Sequence, residues 1–258
     1  AFVERRYGKR FHPKYNIAAD PSTATRRVMN PRWSPLLIPR RPVPTYLDLA
    51  TWKRRPQFDF FRTFDNPFFN VCVEVDVTQL RAWATARGVS FFFASLYASQ
   101  RAAHATPPFR YRIWGERVRV HERMMAGATV LRDDDTFGFG YFDPAPTIER
   151  FVENGRPVLE QVRAGDTLDP RDDVDDVIHY SVLPWLSFTS FSHARNWGTD
   201  DSVPKIVFGK FATETGRTLM PVSVEVHHAL MDGLHVGRYV ERLQALCQAP
   251  DRLSEPMD

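Results

Sequence analysis

The chain has 258 residues, 43% of them apolar and 25% charged, which is typical of one large soluble domain with a substantial core. Because no apolar run approaches the roughly 18–20 residues that span a bilayer and no signal-peptide segment opens the sequence, we expect a cytoplasmic protein without a membrane segment. The net charge is +8 over residues 1–45 and −5 over the rest, and an acidic body argues against nucleic-acid binding. Cys72 and Cys247 are too few for a disulfide scaffold and are predicted to be buried thiols.

The first 45 residues contain seven of the twenty prolines and no sustained periodicity, a pattern typical of an irregular arm. We therefore divide the chain into a basic, proline-rich arm over residues 1–45 and a folded domain over residues 46–258. The opposite charges of the two parts favour docking of the arm on its own body or on a neighbouring subunit. Binding of an external polyanion is the alternative.

The folded domain begins with an aromatic-rich segment, followed by a strand and two helices. A strand is predicted over residues 69–77, then a helix over residues 78–87 that ends at Gly88, and a second helix over residues 90–104. Four short alternating segments between residues 111 and 142 indicate a meander within one sheet.

The second half of the domain alternates helices and strands as well. Residues 147–163 have a helical pattern, with a bend or break expected at Pro157. An acidic run at residues 172–176 is interpreted as a solvated loop. Strands are predicted over residues 177–183, 203–213 and 217–227, and a final helix follows them. Interleaved strands and helices predict an α/β fold, a two-layer sandwich with a large mixed β-sheet.

The end of the last predicted strand carries the most informative stretch of the sequence. Alternating valines at positions 222, 224 and 226 place His228 on the apolar side of the strand and His227 on the other. Asp232 lies four residues past His228, near enough to restrain it, and Gly233 permits a turn into the next helix. Histidine has an ordinary pKa of about 6.5, so a neutral imidazole held here can accept a proton as a general base.

Two other interpretations of this stretch remain open from the residues alone. A lone histidine at this position is more often a core residue with a satisfied hydrogen bond. A metal site formed by His228, Asp232 and His235 has suitable residue types, but its spacing matches neither of the zinc motifs with a known mechanism. We expect no metal.

The stretch from His227 to Gly233 reads His-His-Ala-Leu-Met-Asp-Gly and resembles the HHxxxDG signature of the chloramphenicol acetyltransferases. Dihydrolipoamide acyltransferase domains and peptide-synthetase condensation domains carry relatives of this signature. The resemblance extends in the same order and spacing from about residue 46 to residue 248, and it is strongest at residues 52–61 and 181–191. It implies a homotrimer of α/β sandwiches with each active site between two subunits, and acetyl-CoA as co-substrate.

The resemblance also implies roles for individual residues. His228 would be the base that deprotonates an acceptor hydroxyl as it attacks the thioester of acetyl-CoA, without an acyl-enzyme. Ser181 would donate to the oxyanion, and Asp232 would pair with Arg54 to fix the loop that presents the base. Lys210 falls where the family approaches coenzyme A. Aromatic residues would line the acceptor pocket, namely Phe60, Phe61, Phe69, Phe137, Trp185 and Phe191.

The sequence departs from the family pattern on the acceptor side. Val207 stands where the family can carry a threonine, and Pro67 and His193 replace residues that line the acceptor pocket. The first expectation is therefore an acyl-CoA-dependent O-acyltransferase that acts on chloramphenicol or a similar hydroxylated small molecule. The same chemistry in natural-product biosynthesis, with another acceptor or a carrier-protein-bound donor, is the alternative. A non-catalytic binding module is the third possibility.

Overall fold

A computed structural model describes residues 43–171, 174–195 and 201–257. The proposed arm falls almost wholly outside these residues, so its boundary and its docking place stay predictions. Within the described chain, none of the helices combines the length and the apolar composition that a membrane crossing requires.

The described residues form ten strands and five α-helices. The strands are β1 (Thr45–Tyr46), β2 (Phe68–Asp76), β3 (Tyr111–Trp114), β4 (Arg117–Val120), β5 (Met125–Leu131), β6 (Phe137–Phe142), β7 (Val177–Leu183), β8 (Lys205–Gly209), β9 (Ala212–Glu214) and β10 (Arg217–His227). The helices are α1 (Arg55–Phe61), α2 (Thr78–Ala86), α3 (Phe91–His104), α4 (Ile148–Ala164) and α5 (Gly233–Gln248).

Seven of the strands form one mixed sheet, which dominates the fold. Its order is β2-β10-β8-β7-β5-β6, and the short β9 pairs with β10. β7 runs parallel to both β5 and β8, whereas β10 runs antiparallel to β2 and β8. The long β10 therefore lies between β2 and β8, and it ends at the histidine stretch.

Four helices, α2 to α5, cover one face of this sheet, because the strands alternate apolar and polar side chains. Val222, Val224 and Val226 are fully buried in a cluster that also contains residues of α2, α3, α4 and α5. The residues between them, Ser223 and Glu225, face the other way and form side-chain hydrogen bonds. The fold is thus the two-layer α/β sandwich that the sequence predicts.

Several local predictions were wrong. β3 and β4 do not belong to a meander in the large sheet. They form a separate three-stranded sheet with β1, in the order β1-β4-β3. The strand expected over residues 203–213 is two strands, because the chain leaves the sheet at Lys210, whose N–H donates to the carbonyl of Leu186 at 2.7 Å. Pro157 lies inside α4, which continues from Ile148 to Ala164, so the break did not occur and the bend stays a prediction.

Two predictions about burial also need correction. Cys247 is buried, as expected, and burial raises the pKa of its thiol to about 12, but Cys72 is only half-buried and donates to Asn70. Asp175 is not a solvated loop residue. It lies 2.8 Å from Arg119 and 3.2 Å from His121, so part of the acidic run holds structure together.

Candidate active site

The ring of His228 is held between two aromatic side chains at the end of β10. Its backbone N–H donates to the carbonyl of Pro67 at 2.7 Å, which extends the pairing with β2 by one residue. The imidazole stacks on Phe61 with 3.7 Å between ring centroids and an angle of 5°, and it lies 4.7 Å from Phe69. His228 remains half-buried, so the ring is fixed without being sealed in the core.

The neighbouring histidine points to the opposite side, as the strand alternation predicts. His227 packs edge-on against Phe68, with ring centroids 5.0 Å apart, and its Nδ1 accepts from the N–H of Ala229. Burial lowers the pKa of His227 to about 4, so this imidazole is neutral at neutral pH. His227 is the core histidine of the pair, and His228 is the one available for chemistry.

Nδ1 of His228 is buried with no hydrogen-bond partner within the described ranges. The orientation of the His228 ring is therefore set by its packing against Phe61 and Phe69, because no residue within the described ranges binds Nδ1. A neutral ring can carry its proton on either nitrogen, and the tautomer with a free Nε2 is the one able to accept a proton.

Asp232 restrains the loop rather than the ring, which corrects the expectation from its spacing. Its carboxylate pairs with Arg54, and a second guanidinium nitrogen of Arg54 donates to the carbonyl of His228 at 3.1 Å. Arg54 thus connects the acidic residue to the backbone of the candidate base. The carboxylate also begins α5, since Oδ1 accepts from the N–H of Leu234 at 3.1 Å.

His235 completes this cap, a role that the sequence interpretation missed. Its Nδ1 accepts from the backbone N–H of Asp232 at 3.2 Å, and the same nitrogen lies 2.8 Å from Oδ1 of Asp232. Burial lowers the pKa of His235, although the neighbouring Asp232 carboxylate favours its charged form. Burial opposes ionisation of Asp232, but His235 and Arg54 outweigh it, and the pKa of Asp232 falls below its ordinary value. Asp-x-x-His at a helix start resembles a capping box, which was the available signal.

Ser181 lies near the C-terminal end of β7 and lines a cavity of about 970 Å³. Apolar side chains of α3, α4 and the sheet form most of its wall, and Phe137, Trp185 and Lys210 lie around it. Of the residues predicted for the site, these four belong together. Trp185 is 52% exposed and Phe137 is 45% exposed, so both are available to a ligand or a partner.

Within a single chain, the aromatic residues predicted to line one pocket fall into separate groups, some near His228 and others around the Ser181 cavity. Phe60 packs on Phe61 near His228 and is 60% exposed, so it is not a core residue. Phe191 packs on Phe188 and on His193, with ring centroids 5.6 and 4.9 Å apart, and it does not line the Ser181 cavity.

Sheet register shows how far apart Ser181 and His228 are. Ser181 pairs with Val207 of β8, which pairs with Ser223 of β10, five residues before His228. Two interstrand spacings of about 4.8 Å and five residues of about 3.4 Å give roughly 20 Å between the two Cα atoms. No pair of side chains spans that distance, so one copy of the chain cannot use both residues on one reacting centre.

Among the residues that the structure describes, no three histidine, cysteine or acidic side chains are grouped to hold a metal ion. His228, Asp232 and His235 do not converge, because the carboxylate faces Arg54 and His235 while the ring of His228 faces Phe61.

Comparison with known proteins gives the family. Residues 44–244 match the family model described as chloramphenicol acetyltransferase, which covers most of the chain. The chain belongs to the chloramphenicol acetyltransferase family. This confirms the resemblance inferred from the sequence, the α/β sandwich and the prediction of an acyltransferase.

Individual relatives match nearly their whole length. Chloramphenicol acetyltransferase 3 of Escherichia coli is 30% identical over 208 residues, which cover 80% of this chain and 97% of the relative. Chloramphenicol acetyltransferase of Streptomyces acrimycini is 30% identical over 219 residues, covering 81% and 96%. A solved chloramphenicol acetyltransferase superposes with a TM-score of 0.75 at 27% identity, covering 80% of this chain and all of that one.

A more distant solved structure shares the fold alone. The dihydrolipoamide acetyltransferase of Azotobacter vinelandii superposes with a TM-score of 0.59 at 17% identity.

Proposed function

We propose that this protein transfers an acetyl group from acetyl-CoA to a hydroxyl of a small molecule such as chloramphenicol, with His228 as the general base. The observation that carries the proposal is the position of His228 within the family fold. Its ring is clamped by Phe61 and Phe69 at the end of β10, half-buried, and tied by its backbone to Arg54 and Asp232. A positioned general base typically contributes about 10²–10⁴-fold in rate.

The reaction needs no acyl-enzyme. His228 takes the proton from the acceptor hydroxyl while its oxygen forms a bond to the thioester carbonyl carbon. The resulting oxyanion accepts a hydrogen bond from Ser181, and such a donor is typically worth about 2.7–4 kcal/mol in the transition state. When the C–S bond breaks, the imidazolium returns the proton to the departing thiolate. Acetyl-CoA and the alcohol thus become coenzyme A and the ester.

Arg54 and Asp232 are positioning residues in this scheme. Arg54 is mostly buried, with 15% of its side chain exposed, and it contacts both the carboxylate and the carbonyl of His228. Removing one partner of such a pair leaves the other charge uncompensated, so the loop that presents His228 would shift.

We further propose that the active site forms between subunits of a homotrimer. The separation of roughly 20 Å between Ser181 and His228 supports this, because a second copy of the chain must supply one of the two residues. The exposed aromatic residues on both sides, Phe60 and Trp185, support it as well, since a neighbouring subunit would cover them.

The test is release of free coenzyme A thiol in the presence of acetyl-CoA and a panel of alcohols that includes chloramphenicol. The proposal expects acceptor-dependent thiol release that follows Michaelis–Menten kinetics in both substrates. Absence of release with every alcohol and every acyl-CoA tested would refute it.

One group of contacts favours a second candidate, the same chemistry on a different acceptor in natural-product biosynthesis. His193, at a position that lines the acceptor pocket in the family, lies with its Nδ1 3.5 Å from Glu225, which also binds Arg195 at 2.7 Å. This charged cluster suits a more polar acceptor. A preference of more than about tenfold in kcat/KM for chloramphenicol over polar alcohols, some 1.4 kcal/mol, would contradict this candidate.

A further inference from the structure

The face of the large sheet opposite the helices carries a row of polar side chains beside Ser181. Glu225 of β10 pairs with Lys205 of β8, and Lys205 pairs with His179 of β7. Paired residues of neighbouring strands point to the same face, as do residues two apart on one strand, so His179 and Ser181 share this face. At about 3.4 Å per residue and 4.8 Å between strands, the Cα atoms of His179 and Lys205 lie roughly 7–8 Å from that of Ser181.

Lys205 has no carboxylate partner within the described ranges. Both carboxylate oxygens of Glu225 are already occupied, one by the guanidinium of Arg195 at 2.7 Å and the other by the N–H of His193 at 3.4 Å. The Nζ of Lys205 donates instead to the carbonyl of Ala194 at 2.7 Å. Because an ammonium group has three N–H donors, two of them remain for a ligand.

His179 presents unused hydrogen-bonding atoms beside this ammonium. Its side chain is half-buried and has no hydrogen bond with any residue that the structure describes. Burial, together with the charge of Lys205, lowers the pKa of His179 to about 4, so the ring is neutral at neutral pH and keeps one N–H donor. Gly127 on β5 leaves space for the ring, since an added Cβ there would lie 3.3 Å from its Nδ1. A half-buried imidazole without a protein partner favours a bound ligand.

A carboxylate satisfies both side chains at once. It accepts hydrogen bonds from the ammonium of Lys205 and from the N–H of His179, and bonds to ionised groups are the strong ones. One ammonium and one neutral N–H suit a singly charged carboxylate better than a phosphate, which carries about −1.5 to −2 at pH 7. Arg195 is not available to such a ligand, because it also pairs with Asp201 at 3.0 Å.

We propose that Lys205 and His179 bind a carboxylate of the acceptor, which makes hydroxylated carboxylates the substrate class of this protein. This inference rests on the proposed function, because Ser181 places the reacting group on the same face of the sheet. Neither Lys205 nor His179 lines the Ser181 cavity beside α3 and α4, so the carboxylate lies on the other side of Ser181. The spacing of roughly 7–8 Å suits an acceptor with its hydroxyl and its carboxylate at opposite ends of one benzene ring.

Steady-state thiol release with two matched acceptors tests the inference. 4-(Hydroxymethyl)benzoate and 4-(hydroxymethyl)benzamide have the same shape and differ in charge. At saturating acetyl-CoA, the wild type should use the benzoate with a kcat/KM about tenfold higher than that for the benzamide, because only the benzoate forms charge-assisted hydrogen bonds.

Substitutions assign this preference to the two residues. Lys205→Met should bring the ratio of the two kcat/KM values close to one, whereas Lys205→Arg should keep most of the preference because it retains the charge. His179→Phe keeps a ring and loses the N–H, so it should lower the ratio about threefold. Arg150→Gln is the matched control for a lost positive charge, since Arg150 pairs with Glu153 at 2.7 Å on the exposed side of α4; its ratio should equal that of the wild type.

The outcomes separate this inference from the proposed function. A wild-type ratio of one or less, or a preference that Lys205→Met leaves intact, would overturn the carboxylate subsite while acetyl transfer stands. Thiol release with chloramphenicol but with neither benzyl alcohol would overturn it as well. Release with no alcohol at all would refute the proposed function, and the inference with it. The comparison of two acceptors in the wild type needs no variant, so misfolding of a variant does not remove the test.

Discussion

Two inactive variants should restore activity when they share a trimer. His228→Ala removes the proposed base and Ser181→Ala removes the proposed oxyanion donor, and the two positions lie roughly 20 Å apart in one chain. If each site takes His228 from one subunit and Ser181 from its neighbour, every mixed trimer contains one intact site. Random mixing in equal amounts then gives an intact pair at about a quarter of all sites, hence about a quarter of the wild-type rate.

The assay is thiol release by trimers assembled from the two variants, each with a different affinity tag. Tandem purification on both tags selects mixed trimers, in which one site in three should be intact. Trimers that combine S181A with the double variant H228A/S181A are the control and should stay inactive. Mixed trimers that are verified by both tags yet regain no activity would refute the intersubunit site.

Three further outcomes follow from single residues. Ser181→Ala should lower kcat about 10²–10³-fold with little change in KM, because the oxyanion exists only in the transition state; a raised KM with unchanged kcat would instead make Ser181 a substrate-binding residue. Gly155→Ala should cost about 1–3 kcal/mol of unfolding free energy in urea, because an added Cβ would lie 2.6 Å from Phe93, and an unchanged midpoint would contradict this packing. Burial raises the pKa of Glu225, but hydrogen bonds from His193 and Arg195 outweigh it and lower the pKa to about 2 from an ordinary 4.5. The stabilisation is present above pH 4.5 and lost as the pH falls toward 2. Glu225→Gln should therefore flatten the stability profile in that window, and a profile identical to the wild type would exclude the effect.

Periodicity predicted most of the large sheet because its strands follow a simple rule. The alternation of Val222, Val224 and Val226 gives the strand, its buried face and the opposite directions of His227 and His228. Ser90 and Gly88 mark helix ends through capping and a positive φ of 65°, both of which are local effects.

The alternation of side chains does not predict which strands pair with each other. β3 and β4 have strand patterns, but the pairing of β4 with β1 depends on contacts between residues more than seventy positions apart, such as Thr45 and Val120. Asp175 illustrates the same limit for charges. Its acidic neighbours suggest a solvated loop, and only the fold reveals that Arg119 and His121 face it.

In the candidate site, too, local features could be predicted from the sequence and long-range contacts could not. The short spacing between His228 and Asp232 could be read directly, but the connection through Arg54 spans 174 residues and came only from the family resemblance.

The general base is the central claim, and the rate of acetyl transfer by a His228 variant tests it most directly. Thiol release with saturating acetyl-CoA and the best acceptor should be measured for the wild type and for His228→Ala, both shown to have the same oligomeric state and unfolding midpoint. The expected result is a fall in kcat of about 10²–10⁴-fold, the usual contribution of a positioned base. A variant that keeps kcat within about threefold of the wild type, a difference below 1 kcal/mol, would contradict it.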